Sequence, residues 1–492
     1  MRAPSPSSRS RFRDRWRTAL VPSACLLLVV APPPTRWTAA RPAVSAGRGA
    51  GDDSTAVAFR ALTRVARERL ARDAGRLWSA RLDTIPWMGI AGERVYLTDD
   101  PRAEGYRPYQ AAAADLWTGA VPPGVAPANT SVTWVGRRWA MVLLPLPTDT
   151  LAAVRRLIHE AAHAAQPTAL PLPTYGEAGA GADLLDRPEG RTWLRLEWQA
   201  LAAALERQGA ARRRAAADAL LFRSARYTVA SPGERERERA LDLVEGLPEY
   251  TAWVLTGGRA GELARLLRTS APTTPSYVRT FPYFTGPAYG MLLDELAGPT
   301  WRADLGPGSD LQLSLLAAIA GTAPELGATL RGRALDSTTT ATLRRRAEAA
   351  GASYGLVTVR REEDVRWAAR ERELAALRAR FVTGATLRLR PPSFRISFDP
   401  GRQAALGDAG TVMRGLVWKG DDGAELQAPA GALVPPDWSE LRVPLDSAAF
   451  APGPLTAPRQ WRTAGWTLTL PAGWTVAREG ASWVATPPPT PR

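Results

Sequence analysis

The chain predicts an α+β fold, with a mostly helical domain that carries a short β-sheet and a small C-terminal β-rich domain after it. Three observations support this reading. Apolar residues recur at helical spacing in most segments between residues 54 and 381. Two alternating runs around Gly136 read as a β-hairpin. From residue 386 onward the texture changes to Pro, Gly, Trp and short β-type runs. At 492 residues the chain is long enough for more than one core, and 45% hydrophobic with 23% charged residues is an ordinary globular balance.

Residues 1–41 predict a secretory signal peptide. Arg9, Arg11, Arg13, Arg15 and Arg17 form a basic region ahead of the short apolar run Ala19–Ala31, with Ala39 and Ala40 as small residues downstream. That run is too short for a comfortable membrane span, so a secreted or periplasmic protein is expected, with no stable span after cleavage. Left uncleaved, the segment would act as a marginal anchor. Cys25, the single cysteine, falls inside this run, so the mature chain has no disulfide and no thiolate ligand. About half of the net charge of +15 also lies in these residues, and the remaining arginines alternate with acidic residues, as in Glu234–Arg239. No basic stripe interleaved with aromatics occurs, which argues against nucleic-acid binding.

The first predicted helix spans 54–80, with Phe59, Leu62, Val65, Ala66, Leu70, Ala74 and Leu77 on its apolar face. A hairpin follows, Ser131–Val135 and Trp139–Leu144 about Gly136, closed by Pro145 and Pro147. Asp149 is placed to cap the next helix, whose apolar side is Leu151, Val154, Leu157, Ile158, Ala161 and Ala165. Helical patterns continue over 190–222, 234–256, 258–269, 287–297, 309–320 and 340–351. A charged amphipathic helix over 360–381 reads as a connector that closes the domain of residues 50–382. Residues 386–492 form the β-rich part, with a Pro-rich tip from about residue 486.

His159 and His163 are the only two histidines, and they stand in His159-Glu-Ala-Ala-His163, an HExxH pattern on the helix that Asp149 caps. Residues four apart share a helix face, so both imidazoles can bind one Zn²⁺ with Glu160 beside the metal-bound water as general base. A catalytic zinc takes three protein ligands, and with no further His or Cys the third must be a carboxylate. Glu245 and Glu197 are the two candidates. Glu197 reads first as a core-flanking carboxylate paired with an arginine and second as the ligand, Glu249 as a surface or supporting residue, and Gln166 as lining the cleft or facing solvent.

Taken in order, His159–His163, Glu245-Gly-Leu-Pro-Glu-Tyr250 and Tyr283-Phe-Thr-Gly-Pro-Ala-Tyr289 resemble the gluzincin metallopeptidases, most of all the aminopeptidase N type, over residues 130–300. The resemblance implies a zincin-like catalytic domain acting on a peptide or protein substrate. It also implies Glu245 as third zinc ligand and Tyr283 as the donor to the oxyanion. Gly246, which adds no bulk beside the carboxylate, fits that assignment. Trp139–Leu144 stands where the family's edge strand would be, without the Gly-x-Met-Glu-Asn segment that holds a peptide N-terminus. The sequence leaves two other readings open: a zinc hydrolase acting on non-peptide amides or esters, and a non-catalytic envelope protein.

Overall fold

The computed structural model describes residues 50–489 apart from 110–114, 170–182, 320–325, 334, 392, 394–395, 399–402 and 447. Residues 1–41, on which the signal-peptide expectation falls, and Cys25 within them lie outside the described residues. The fold is α+β, and among the described residues no helix is long and apolar enough to cross a membrane.

Helix α1 (Ala50–Asp73) is shorter than its apolar pattern. Ala74 and Gly75 take positive φ angles of 53° and 82°, and the chain leaves the helix there, so Leu77 packs from a turn and not from a helix face. A six-stranded sheet follows, in the order β3 (Arg107–Pro108), β4 (Trp117–Ala120), β2 (Arg94–Leu97), β1 (Trp87–Ala91), β6 (Arg137–Leu143), β5 (Thr130–Trp134). Only β1 and β6 run parallel. The β5–β6 hairpin turns on Val135 and Gly136, both at positive φ (47° and 70°), the handedness a two-residue hairpin needs. Because β6 pairs on both sides, the edge strand here is β5, and the Trp139–Leu144 run is interior. Side chains alternate across the sheet: Ala140 and Val142 of β6 face the helices, whereas Trp139 and Met141 join a separate core on the other face.

Helix α2 (Thr150–Ala169) starts where the Asp149 carboxylate accepts the Ala152 N–H at 2.7 Å. It lies across the sheet, pinned by the Trp87 indole donating to the Leu157 carbonyl at 2.9 Å and by Arg138 donating to the Ala164 carbonyl at 3.1 Å. The predicted helix 190–222 is two helices, α3 (Pro188–Glu206) and α4 (Gly209–Tyr227), because the chain turns back at Gly209, at φ 55°. The predicted helix 234–256 is likewise two, α5 (Pro232–Val244) and α6 (Gly246–Leu255), interrupted at Glu245. Ser231 and Glu234 form a reciprocal capping box at the start of α5. Apart from a single turn at Gly327–Leu330, the remaining described α-helices are α7 (Ala260–Thr269), α8 (Pro282–Leu296), α9 (Leu311–Ala318), α10 (Ser337–Gly351) and α11 (Leu356–Arg378). α8 begins five residues before its pattern, so Tyr283 sits in its first turn.

Two contacts set the frame around α2. The first is an ionic core in which Arg223 and Arg226 of α4 are fully buried. Glu197 of α3 accepts from Arg223 at 2.8 Å, from Arg226 at 2.7 Å and from the Tyr289 hydroxyl at 2.8 Å. Asp242 of α5 accepts from Arg223 at 2.6 Å and from the Thr285 hydroxyl of α8 at 2.8 Å, so the network ties α3, α4, α5 and α8 together. The second is a glycine crossing: a Cβ on Gly286 of α8 would lie 2.2 Å from the Gly246 Cα, so both positions must lack one.

From residue 386 the described chain forms an eight-stranded and a five-stranded sheet. Thr386–Leu389 pairs antiparallel with Leu441–Pro444 and parallel with Ser482–Thr486 in the larger one. Leu387, Trp418, Leu426, Trp466, Leu468 and Trp474 from both sheets share one core. Leu377 of α11 and Phe381 just beyond it pack with Leu406, Val412 and Leu433, so the connecting helix docks on the strands it leads into.

Gly286→Ala should therefore overpack the α6–α8 crossing and cost about 1–3 kcal/mol or more in urea denaturation. Gly261→Ala is the control: its Cβ meets nothing within 4 Å, and stability should rise by about 0.4–1 kcal/mol. Equal stability of Gly286→Ala and the parent would contradict the close crossing.

Candidate metal centre

Arg156, His159, Glu160 and His163 occupy successive positions i, i+3, i+4 and i+7 of α2, one continuous stripe. The imidazole Nε2 atoms of His159 and His163 face each other at 2.9 Å. Glu245 Oε2 lies 3.6 Å from the first and 3.4 Å from the second. All three residues are buried, with 1%, 3% and 2% exposure for His159, His163 and Glu245.

The outer nitrogens decide the chemistry of the inner ones. His159 Nδ1 lies 2.8 Å from Glu249 Oε2, and a carboxylate can only accept there, so Nδ1 carries the proton. His163 Nδ1 lies 3.0 Å from Gln166 Oε1. The Gln166 amide is oriented by its own Nε2, which donates to the Val244 carbonyl at 3.0 Å, so its oxygen must accept from His163. Neutral imidazoles protonated at Nδ1 present lone pairs at Nε2. Two lone pairs and a carboxylate oxygen thus converge on one point, an arrangement that repels itself unless a metal ion sits between them or a second proton is taken up on His159 Nε2.

The spacing fits such an ion. A tetrahedral site with bonds of about 2.0–2.1 Å has ligand–ligand edges of about 3.3 Å, and the three separations bracket that value. His159, His163 and Glu245 could therefore hold a metal ion. Burial disfavours charge on His159, but its contacts with Glu245 and Glu249 outweigh this and push its pKa up to about 10, which marks the same excess of negative potential. Burial also acts to raise Glu245, yet the two histidines hold it well below the usual carboxylate range.

Glu245 reaches the histidines because it sits between two helices. It ends α5, with its N–H bonded to the Leu241 carbonyl at 2.9 Å, and it precedes α6, the helix that lies on α2. Pro248, in the first turn of α6, has no N–H to offer the Val244 carbonyl four residues back, and that carbonyl is the one Gln166 uses. Gly246 lets α8 approach closely, which brings the Tyr283 hydroxyl within 2.8 Å of Glu245 Oε2 and its ring 5.5 Å from the His159 ring.

Glu160 is 1% exposed, and its Oε2 is enclosed without a hydrogen-bond partner. Burial raises its pKa, opposed by His159 and His163. An enclosed, unpartnered carboxylate is costly, and it stands one residue from a candidate ligand.

The structure thus brings His159, Glu160, His163, Glu245 and Tyr283 together and leaves Glu197 out of the group. Glu197 spends both oxygens on Arg223, Arg226 and Tyr289. Gln166 and Glu249 turn out to orient the two imidazoles. The only sequence signal for these roles is spacing: Gln166 stands one turn after His163 and Glu249 one turn after Glu245. Pro248 gave no sign of its role until the Val244 carbonyl had a partner.

Metal analysis should find about one ion per chain, lost in His159→Ala, His163→Ala and Glu245→Ala. Glu197→Ala should keep the ion but lose about 3–5 kcal/mol of stability, since it strands two buried arginines. Metal retained in Glu245→Ala would refute the ligand set. Gln166→Leu should weaken metal binding by about 10–100-fold in competition with a chromophoric chelator while the circular dichroism stays unchanged. No family model, no curated protein and no solved structure matches this chain.

Proposed function

We propose that the chain is a zinc metallopeptidase of gluzincin type, with a zincin-like catalytic domain and a C-terminal β-rich domain, exported by its N-terminal segment. The observation that carries this reading is Glu160: an enclosed carboxylate without a hydrogen-bond partner, beside a two-histidine, one-carboxylate donor set. That set is a borderline mixture of nitrogen and oxygen ligands, three in number, which suits a catalytic zinc with one open position. Zinc bound there supplies Lewis acidity toward a carbonyl and toward water.

Glu160 accepts a proton from the attacking water as the water oxygen bonds to the carbonyl carbon. It then delivers that proton to the departing amine nitrogen as the C–N bond breaks. Tyr283 donates its O–H to the developing oxyanion; at rest the same group is held against Glu245. Glu249 and Gln166 keep both imidazoles in the tautomer the site requires.

Glu160→Gln keeps the size and the buried setting and removes the base. It should retain the metal and lose about 10²–10⁴-fold or more in peptide hydrolysis, read as turnover of casein or a peptide mixture with and without a chelator. Parent-like turnover in Glu160→Gln would rule the mechanism out. Chelator-sensitive cleavage of esters or non-peptide amides, with peptides left intact, would move the activity to another hydrolase class.

A further inference from the structure

Arg156 and its neighbour Arg155 each enclose one guanidinium nitrogen without a hydrogen-bond partner, but only Arg155 is tied to other side chains. Arg155 stacks over the Trp253 ring at 3.9 Å, donates from Nε to the Thr256 hydroxyl at 3.0 Å and lies 3.9 Å from Glu262, which ties α2 to α6 and α7. Arg156 makes no hydrogen bond or ion pair among the described residues, although its Nε is enclosed. It stands one helical turn before Glu160 and on the same stripe as both histidines, within electrostatic reach of Glu160, Glu249 and Tyr283.

Exposure shows which way this stripe meets solvent. His159, Glu160, His163 and Glu245 are shut in, whereas Arg156, Tyr283 and Glu249 are half-buried and mark the open side of the centre. Only Nε of Arg156 is enclosed, so the two Nη groups, which have no hydrogen-bond partner among the described residues, are what an anionic group entering from that side would meet. The planar guanidinium fork suits a carboxylate in particular.

We propose that Arg156 is a specificity-determining residue that binds a carboxylate of the peptide substrate near the scissile bond. This rests on the peptidase reading of the same centre. The carboxylate is either the free C-terminus or an acidic side chain, and both have the same recognition chemistry.

Three random pentapeptide mixtures separate the sources: one amidated and free of Asp and Glu, one amidated and containing them, and one free of them with a free C-terminus. The zinc-loaded full chain should cleave at least one carboxylate-bearing mixture with the higher kcat/KM. Arg156→Gln should lower that value by about 10- to 100-fold, mainly through KM, and lower kcat/KM on the neutral mixture far less, through the charge it removes near Glu160. Arg156→Lys should recover part of the loss. Direct binding gives a second readout, since Glu160→Gln should bind the preferred mixture more tightly than Glu160→Gln with Arg156→Gln. A loss spread evenly over all three mixtures, or no loss, would overturn the assignment and leave the peptidase reading standing. Failure of the parent to cleave any mixture would bring down both.

Discussion

Pro248 cannot donate the N–H that would close a helical turn on the Val244 carbonyl, and the arrangement of the centre follows from that vacancy. The carbonyl takes the Gln166 amide instead, and the other end of that amide takes the proton side of His163. One missing backbone donor in α6 therefore fixes a tautomer in α2. The interruption that Pro248 and Gly246 introduce also leaves Glu245 between two helices, where its carboxylate can turn toward the imidazoles.

Holding that position requires the rest of the helical block. Three electron-rich atoms within a few ångströms repel one another, so the elements carrying them must be held by contacts made elsewhere. The Glu197–Arg223–Arg226 network and its extension through Asp242 to Thr285 supply some of these. The Trp87 indole on the Leu157 carbonyl and the stacking of Arg155 on Trp253 supply others. Buried charges of this kind contribute little net stability over apolar packing, but each is severe to break, so they favour one arrangement of helices over its neighbours.

Charge around the centre is graded from inside to outside. Carboxylates and imidazoles crowd the interior, while Arg156 stands at the rim with no hydrogen bond or ion pair among the described residues. A cation held inside and a carboxylate bound outside would satisfy both excesses, and would link the proposed metal chemistry of α2 to the class of peptide the proposed enzyme prefers.

The sequence by itself determined the α+β class, the capping of α2 by Asp149, the hairpin at Gly136 and the pairing of His159 with His163. Each of these is local: a carboxylate three residues from an N–H, a turn needing positive φ, two side chains one helical turn apart. It also reduced the third candidate ligand to a carboxylate by elimination, and the resemblance and Gly246 favoured Glu245, but residue spacing alone did not separate it from Glu197, since both lie in helical patterns with apolar neighbours. Tertiary structure decided that, because the choice depends on which helix crosses α2 and where the arginines of α4 point. The same holds for the lengths of α1, α3 and α5, whose apolar patterns run on past the breaks. Periodicity reports which residues are buried, and a residue can be buried from a turn as well as from a helix face.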